Sequence, residues 1–409
     1  MKTSLKISIT TASILTSFLL AGCGSDGANT ITPSTNAPTT FAGQLVDSYV
    51  QNVDYSCDDG AQGITDVNGR FECDSLPIEF KLNGLRLGKI STLAQDSQVF
   101  PQDLLGLDRK DTKHPEVVAM ARFLQSCDED NNSQNGLQIH QRIKDSLFAN
   151  EDFNGANIES YIDITVDETD AVEHLEQTTQ LIESVNTATT LPPAVIEAIL
   201  TPMSVLTQEA KNTLSYMGNE ERLAYDVYMK LYESYPLQQF INIATNGETP
   251  HIQAVQLLIQ KYISSYDEFT NIDLPELGYK ETEVEDMQGG IYDISAIQNL
   301  YDALMAKGLQ SQQDALEVAC MVEVTDIYDL DHDIAIAEAS NAADVVTTFE
   351  FLRDGSYSHY WAFDSGLKSM GVTEGCCVLG TIDGVNYCHN EYPQNQNGGN
   401  GSGQKKGKH

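Results

Sequence analysis

The chain carries no Cys-x-x-Cys pair, which leaves a zinc ribbon or a thioredoxin-type redox site without its ligands. It has no Gly-x-Ser-x-Gly turn and no phosphate-cradling glycine loop followed by lysine, so serine-hydrolase elbows and P-loop chemistry are not encoded. Positive charge is scarce: 23 Lys and Arg stand against 60 Asp and Glu, a formal net charge of -37. A general nucleic-acid binder needs a basic face, and this chain cannot supply one. Beyond the first twenty residues no apolar run is long enough to cross a bilayer as a helix.

The start of the chain has the features of a targeting segment. Met1-Lys2-Thr3-Ser4-Leu5-Lys6 is basic, Ile7 to Leu20 is mostly apolar, and Leu20-Ala21-Gly22-Cys23 ends it with small residues. That tetrapeptide resembles the lipobox of bacterial lipoproteins, which implies removal of residues 1–22 and a lipid on Cys23; an ordinary signal peptide with a chance cysteine is the alternative. Gly24 follows where an Asp would favour inner-membrane retention, so the expectation is a lipid anchor in the outer membrane. Residues 23–40 then read as a Ser-, Thr-, Asn- and Pro-containing tether.

Residues 41–112 read as a small β domain. Val53, Tyr55 and Cys57 alternate with Asp54 and Ser56, while Ile78, Phe80 and Leu82 alternate with Glu79 and Lys81 before an Asn83-Gly84 turn. Seven of the eight cysteines lie beyond Cys23, in a compartment that permits disulfides. Cys57 and Cys73 flank the turn Thr65 to Phe71, and pairing them is preferred over two free thiols. Gly43 to Asp47, this turn, and the run Ile78 to Gly88 look like a β-sandwich module of bacterial surface lipoproteins, which implies attachment, not chemistry.

From residue 113 to 200 the chain reads as helical and irregular connection. A helix is expected from His114, with Pro115 in its first turn and Val118, Ala121 and Leu124 on one face. Asp128, Asp130 and Asn132 alternate as in an EF-hand calcium loop, with Ser133 where that loop expects Gly; a calcium site and a plain acidic loop both stay open. Leu191-Pro192-Pro193 is the expected boundary.

The helical period is strongest over residues 201–372. Four apolar seams run through Leu206–Leu231, Ile241–Tyr262, Leu316–Leu330 and Val345–Met370, and each is broken near its middle by metal-capable side chains. The breaks are Glu221, with Glu220 expected to point aside; Glu248 and His251; Glu323, with Asp326 one turn on; and Ser356 and His359. A lone inward Glu or His is usually a hydrogen-bonded core residue. Four coincident breaks point instead to a shared cation, because several carboxylate oxygens are needed to offset two hard divalent charges and i, i+3 spacing aims a Glu and a His at one centre.

The segments Gly218 to Tyr228, Glu248 to Val255, Glu323 to Ile327 and Gly355 to Phe363 resemble a ferritin-like domain family of unknown function, related in pattern to rubrerythrins and bacterioferritins. The resemblance implies an all-α four-helix bundle holding two iron (or manganese) ions, with Glu221, Glu248, His251, Glu323, Asp326 and His359 as the metal ligands. Two departures qualify it. Ser356 stands where a fourth bridging Glu belongs, and Asp326 is the expected substitute. Pro250 sits between Glu248 and His251, so the helix is expected either to kink or to restart there, the second case drawing Glu248 off the seam.

Around this set, Tyr228 reads as a donor near the metal or an aromatic core residue, and Cys320 as an apolar filler or a thiol near the metal. Residues 373–409 hold a cysteine-rich loop, where Cys388 pairs with Cys377 or with Cys376, and a Gly-, Asn- and Lys-rich tail; Cys127 has no assigned role. The expected architecture is therefore multidomain α+β: a β-sandwich-like domain, then the bundle. Two functions follow: a di-iron oxidoreductase acting on peroxide or dioxygen, or a non-enzymatic surface lipoprotein that binds a partner or envelope component and has a structural or vestigial metal site.

Overall fold

The computed structural model describes residues 40–147, 151–262, 288–292 and 294–394. The leader with Cys23, most of the tether, and the far C-terminal tail lie outside these residues, as do residues 263–287 between the second and third seams. What is described is an α+β chain, a β-rich part followed by helices.

The β-rich part holds β1 (Phe41–Leu45), β2 (Val50–Gln51), β3 (Asp54–Cys57), β4 (Gln62–Ile64), β5 (Arg70–Cys73), β6 (Ile78–Leu82), β7 (Leu85–Ile90) and β8 (Gln98–Val99). Strands β5-β1-β8 form one sheet, and β7-β6-β3-β4 run consecutively in another. The alternation read from the sequence buries Ile78, Phe80 and Leu82 of β6, and Asn83 takes a positive φ of 54° in the tight turn to β7. Phe71 of one sheet meets Phe80 of the other edge-on at 5.1 Å, so the two sheets share a core. Cys57 and Cys73 are joined, and because β3 and β5 belong to different sheets the bridge staples one sheet to the other.

Helices α1 (Pro101–Leu105) and α2 (Pro115–Ser126) follow, then α3 (Gln141–Ser146), α4 (Glu168–Thr187) and α5 (Pro193–Ile199). His114 caps α2 by accepting the Glu116 N–H, with Pro115 in the first turn as expected, and Met120, Phe123 and Leu124 enter the β core. A buried polar knot ties α4 to the turn after β1: His174 Nδ1 lies 3.1 Å from Asp47 Oδ1, and its Nε2 lies 3.1 Å from Ser48 Oγ. This has the outline of a Ser-His-Asp chain, but the Ser133 carbonyl is 3.0 Å from the same Nε2. A carbonyl only accepts, so Nε2 carries a proton and cannot take one from Ser48. The knot is structural.

The helical part is built on α6 (Gln208–Ser234), α7 (Gln238–Ile243), α8 (Thr249–Tyr262), α9 (Ser295–Gly308), α10 (Gln312–Ala339) and α11 (Ala343–Ser369). Helix α10 packs along α11, α6 packs on both α8 and α10, and α8 closes the ring against α11. Two apolar clusters fill the interior. One gathers Tyr228, Phe240, Leu316 and Phe363, the other Leu214, Leu258, Leu330 and Phe349. They flank a layer of buried Glu, Asp and His.

Glu220 turns aside from the seam of Glu221, as expected, yet stays inside the protein: every residue of α6 from Met217 to Tyr228 is buried. The covering is supplied by α10 and by residues 288–292, to which Arg222 Nη2 donates through the Gln288 and Ile291 carbonyls at 2.7 and 3.0 Å. Cys320 is neither a filler nor a thiol, because it is bonded to Cys376 in the turn after α11, leaving Cys377 to pair with Cys388. The Cys320–Cys376 bridge spans 56 residues, and on chain-entropy grounds closing a loop of that size contributes about 4 kcal/mol. Urea unfolding of C320A/C376A, followed by helical circular dichroism, should show a loss of that order; an unchanged midpoint would mean the C-terminal turn is held by packing alone.

Candidate metal centre

Each side chain of the polar layer reaches it by a different local device. Glu221 sits mid-way along α6, a helix capped by the Thr207 hydroxyl accepting from Ala210 N–H. Glu248 and His251 come from a stretch where one α-helix ends and another begins, as the restart reading expects, but with a π turn joining the two. Residues Ala244–Glu248 open into a π turn between α7 and α8, with the Thr249 N–H reaching back to the Ala244 carbonyl. The widened turn shifts the carbonyls out of the α register just where the Pro250 ring would collide with one, and Pro250 enters α8 in its first turn. Glu248 therefore keeps its place in the seam. Glu323 and Asp326 project from α10, Ser356 and His359 from α11.

The geometry centres on Glu248. Its Oε2 lies 3.1 Å from His251 Nδ1 and its Oε1 lies 3.0 Å from His359 Nδ1. Glu221 Oε2 stands 3.0 Å from His251 Nδ1, and Glu323 Oε2 stands 3.5 Å from His359 Nδ1. Two triads result, Glu221-Glu248-His251 and Glu248-Glu323-His359, each with its potential donor atoms within 4.8 Å of one another. Tyr228, also buried, donates its hydroxyl to Glu323 Oε1. Ser356 donates to Asp326 Oδ2 at 2.5 Å, so Asp326 is anchored beside the triads and belongs to neither.

The atoms left over are the telling ones. Glu221 Oε1 and Asp326 Oδ1 are buried without a hydrogen-bond partner, and Glu248 Oε1 and His359 Nδ1 face each other at 3.0 Å as an ion pair without being aligned for a hydrogen bond. A buried polar group left unmatched costs roughly 1–3 kcal/mol, more when charged, so these atoms have capacity left for a further partner. Burial pushes the Glu221 carboxyl up to about 7 even though His251 opposes the rise. Burial disfavours charge on His251 too, but Glu221 and Glu248 outweigh it and push the imidazole up to about 10. Glu248, against the same burial, is held well below the usual carboxylate range by His359 and His251. The layer thus draws positive charge to itself. These residues can hold two cations, with Glu248 common to both.

Two contributors went unread in the sequence. A methyl group on Gly247 would lie 2.4 Å from His359 Nε2, and one on Gly355 would lie 2.3 Å from His251 Nε2. Each imidazole turns Nδ1 to the carboxylates and backs its Nε2 edge onto the opposite helix, where only glycine leaves space. The signal was present: Gly247-Glu248-x-x-His251 and Gly355-Ser356-x-x-His359 share the spacing Gly-x-x-x-His. The other predicted positions lie elsewhere. In the Asp128–Asn132 loop, Asp128 accepts N–H groups from Asn132 and Gln138, and Asp130 accepts from Asn132 and Asn135, so the loop satisfies much of its own acceptor capacity. Cys127 is a buried free thiol, its pKa driven upward by burial.

Comparison with known proteins locates the centre within one matched segment. Residues 210–379 match a family described as "Uncharacterized protein domain (DUF2202)". The uncharacterized protein MJ0754 of Methanocaldococcus jannaschii is 34% identical over 170 residues, covering 42% of this chain and 81% of that relative. A crystal structure titled as that hypothetical protein, from Methanococcus jannaschii, shows 32% identity over 42% of this chain and 86% of its own, with a TM-score of 0.35. The matched segment contains both triads, Asp326, Ser356 and both glycines.

The glycine contacts give a direct test. Helix propensity alone favours alanine over glycine by about 1 kcal/mol, whereas overpacking costs about 1–3 kcal/mol. Gly247→Ala and Gly355→Ala should each lower the melting temperature. A variant that melts above wild type would show that the imidazoles have room to move.

Proposed function

The chain belongs to the family described as uncharacterized protein domain (DUF2202), and we propose that this domain is a ferritin-like bundle carrying a pair of metal ions, iron in the first instance and manganese in the second. The observation that carries the reading is the pair of buried Glu-Glu-His triads sharing Glu248, in which Glu221 Oε1 has no hydrogen-bond partner. Glu221 and His251 would hold one ion, Glu323 and His359 the other, and Glu248 both. Carboxylate and imidazole donors together suit iron and manganese better than calcium, which favours oxygen alone. Such a pair supplies redox chemistry with dioxygen or hydrogen peroxide, and the function proposed is ferroxidase-like or peroxide-reducing.

The surrounding side chains support that role. Tyr228 fixes Glu323 by a hydrogen bond while its ring stacks on Phe240 and meets Phe363, which keeps that side of the layer apolar. The clusters above and below exclude bulk water, so charges inside the layer interact strongly. We further propose that the protein is held on the outer membrane by lipid at Cys23, facing an oxidising compartment. The leader ending Leu20-Ala21-Gly22-Cys23 and the three disulfides are consistent with it. Ser356 in place of a fourth carboxylate favours a second reading, in which the metal is a structural clip in a non-enzymatic surface lipoprotein.

The test uses the full chain purified without chelator. Metal analysis should give two transition-metal ions per chain, and metal supplied at 100 times its Kd should stabilise the protein by about 2.7 kcal/mol for each ion bound, a gain lost in H251A/H359A. Adding ferrous iron and peroxide should consume peroxide with a change in the ultraviolet–visible spectrum. Metal without peroxide or dioxygen consumption selects the structural clip. Absence of bound metal in wild type, with unchanged stability in H251A/H359A, removes both.

A further inference from the structure

Carboxylates continue past the two triads. On α10 the sequence Glu323, Asp326, Asp329, Asp333 steps by three, three and four residues, one stripe about 15 Å long at the helical rise. Facing it on α6 are Glu220 and Tyr216. Glu220 and Asp333 are each only 6% exposed and Asp326 only 7%, while Asp329 is half-buried. Glu220 and Asp329 are within hydrogen-bonding contact of each other, two acids side by side. Glu220 Oε2 and Asp326 Oδ1 have no partner. Both residues line one small cavity of about 40 Å³, shared with Leu223, Val322, Thr325 and Tyr387. At the outer end Asp333 Oδ1 meets His332 Nδ1 at 3.2 Å, and the His332 side chain is largely exposed.

A file of acids buried this deeply is unstable unless it shares protons or binds cations. Tyr216 stands one turn before Glu220 on the same face of α6, and burial first, then the charges of Glu220, Asp329 and Asp333, push its phenol upward. The ligand type decides which cation. Glu220, Asp326, Asp329 and Asp333 offer oxygen only, the donor set of hard divalent ions, whereas the triads add imidazole.

We propose that Glu220 and Asp329, with Asp333 outside them and Asp326 inside, form a separate divalent-cation site that feeds ions to the central triads. The site itself stands on its own carboxylates; its role as a feeder rests on the two-metal reading of the centre.

Terbium(III) serves as the hard-cation probe, because tyrosine close to a bound terbium ion sensitises its emission and Tyr216 lies in the cluster. With the full chain, tyrosine-sensitised emission should fall in Y216F and in E220Q/D329N and persist in H251A/H359A. The single substitution Asp329→Asn, at a half-buried position, should lower emission even if the double variant folds poorly. Equal emission in wild type, Y216F and D329N overturns the site. Stopped-flow loading with cobalt(II), read by its visible absorption, then tests the feeder. D329N should fill the centre more slowly by roughly tenfold or more, with the same final cobalt content, since a cleft lined with one sign of charge raises on-rates by about that factor. Equal loading rates overturn the feeder even if terbium binds. A wild-type centre that never takes up cobalt instead removes the two-metal reading, and leaves the terbium result to decide the outer site.

Discussion

One carboxylate organises the helical half of this protein. Glu248 lies between two imidazoles, one oxygen to each, with an apolar cluster on either side of the layer. Everything around it answers the cost of putting charge there. Glu221 and Glu323 stand on the far sides of the same imidazoles, Tyr228 and Ser356 donate to the carboxylates nearest them, and the apolar clusters seal the layer. Take away Glu248 and the remaining groups fall into two unrelated Glu-His pairs. The fold can afford this layer because α10 and α11 pack against each other along their length and carry apolar seams on either side of it.

The layer has an approximate internal repeat. Gly247-Glu248-x-x-His251 on one helix is answered by Gly355-Ser356-x-x-His359 on another, and each glycine gives clearance to the histidine of the other segment. That reciprocity fixes how closely the two helices approach at this level: a methyl group on either would have to displace an imidazole. The repeat is broken at one position, Ser356 against Glu248. The π turn belongs to the Glu248 side alone, where Pro250 requires it, and α11 passes the same point as ordinary α-helix.

How much of this could be read from the chain depended on whether a residue's environment is set by its own helix. The four seams gave the bundle and five of the central side chains, because an apolar stripe broken by Glu or His is visible at helical spacing. The β alternation and the Asn83 turn were visible for the same local reason. The burial of Glu220, off the seam, has no trace in a single apolar stripe, because α6 is covered on several sides by α10 and by residues 288–292. Cys320 was misread because its partner is 56 residues away and cysteine spacing carries no tertiary information. The π turn leaves only Pro250 as its trace, and proline alone does not distinguish a kink, a restart and a widened turn.

Charge counting explains why the broken repeat is not simply a loss. On the two-metal reading, Glu221, Glu248 and Glu323 bring three negative charges to two dications, which leaves one positive charge inside an apolar bundle. A fourth carboxylate on α11 would cancel it, and Ser356 cannot. Asp326 can, from α10, and Ser356 is short enough to leave it room and polar enough to donate to Oδ2, so that Oδ1 stays free. The exchange moves the fourth charge from one helix to its neighbour and toward Glu220, onto the stripe that continues to Asp329 and Asp333. A carboxylate on α11 would have completed a symmetric, closed centre. Placed on α10, the same charge makes the centre one end of a line of acids, and gives the layer a direction.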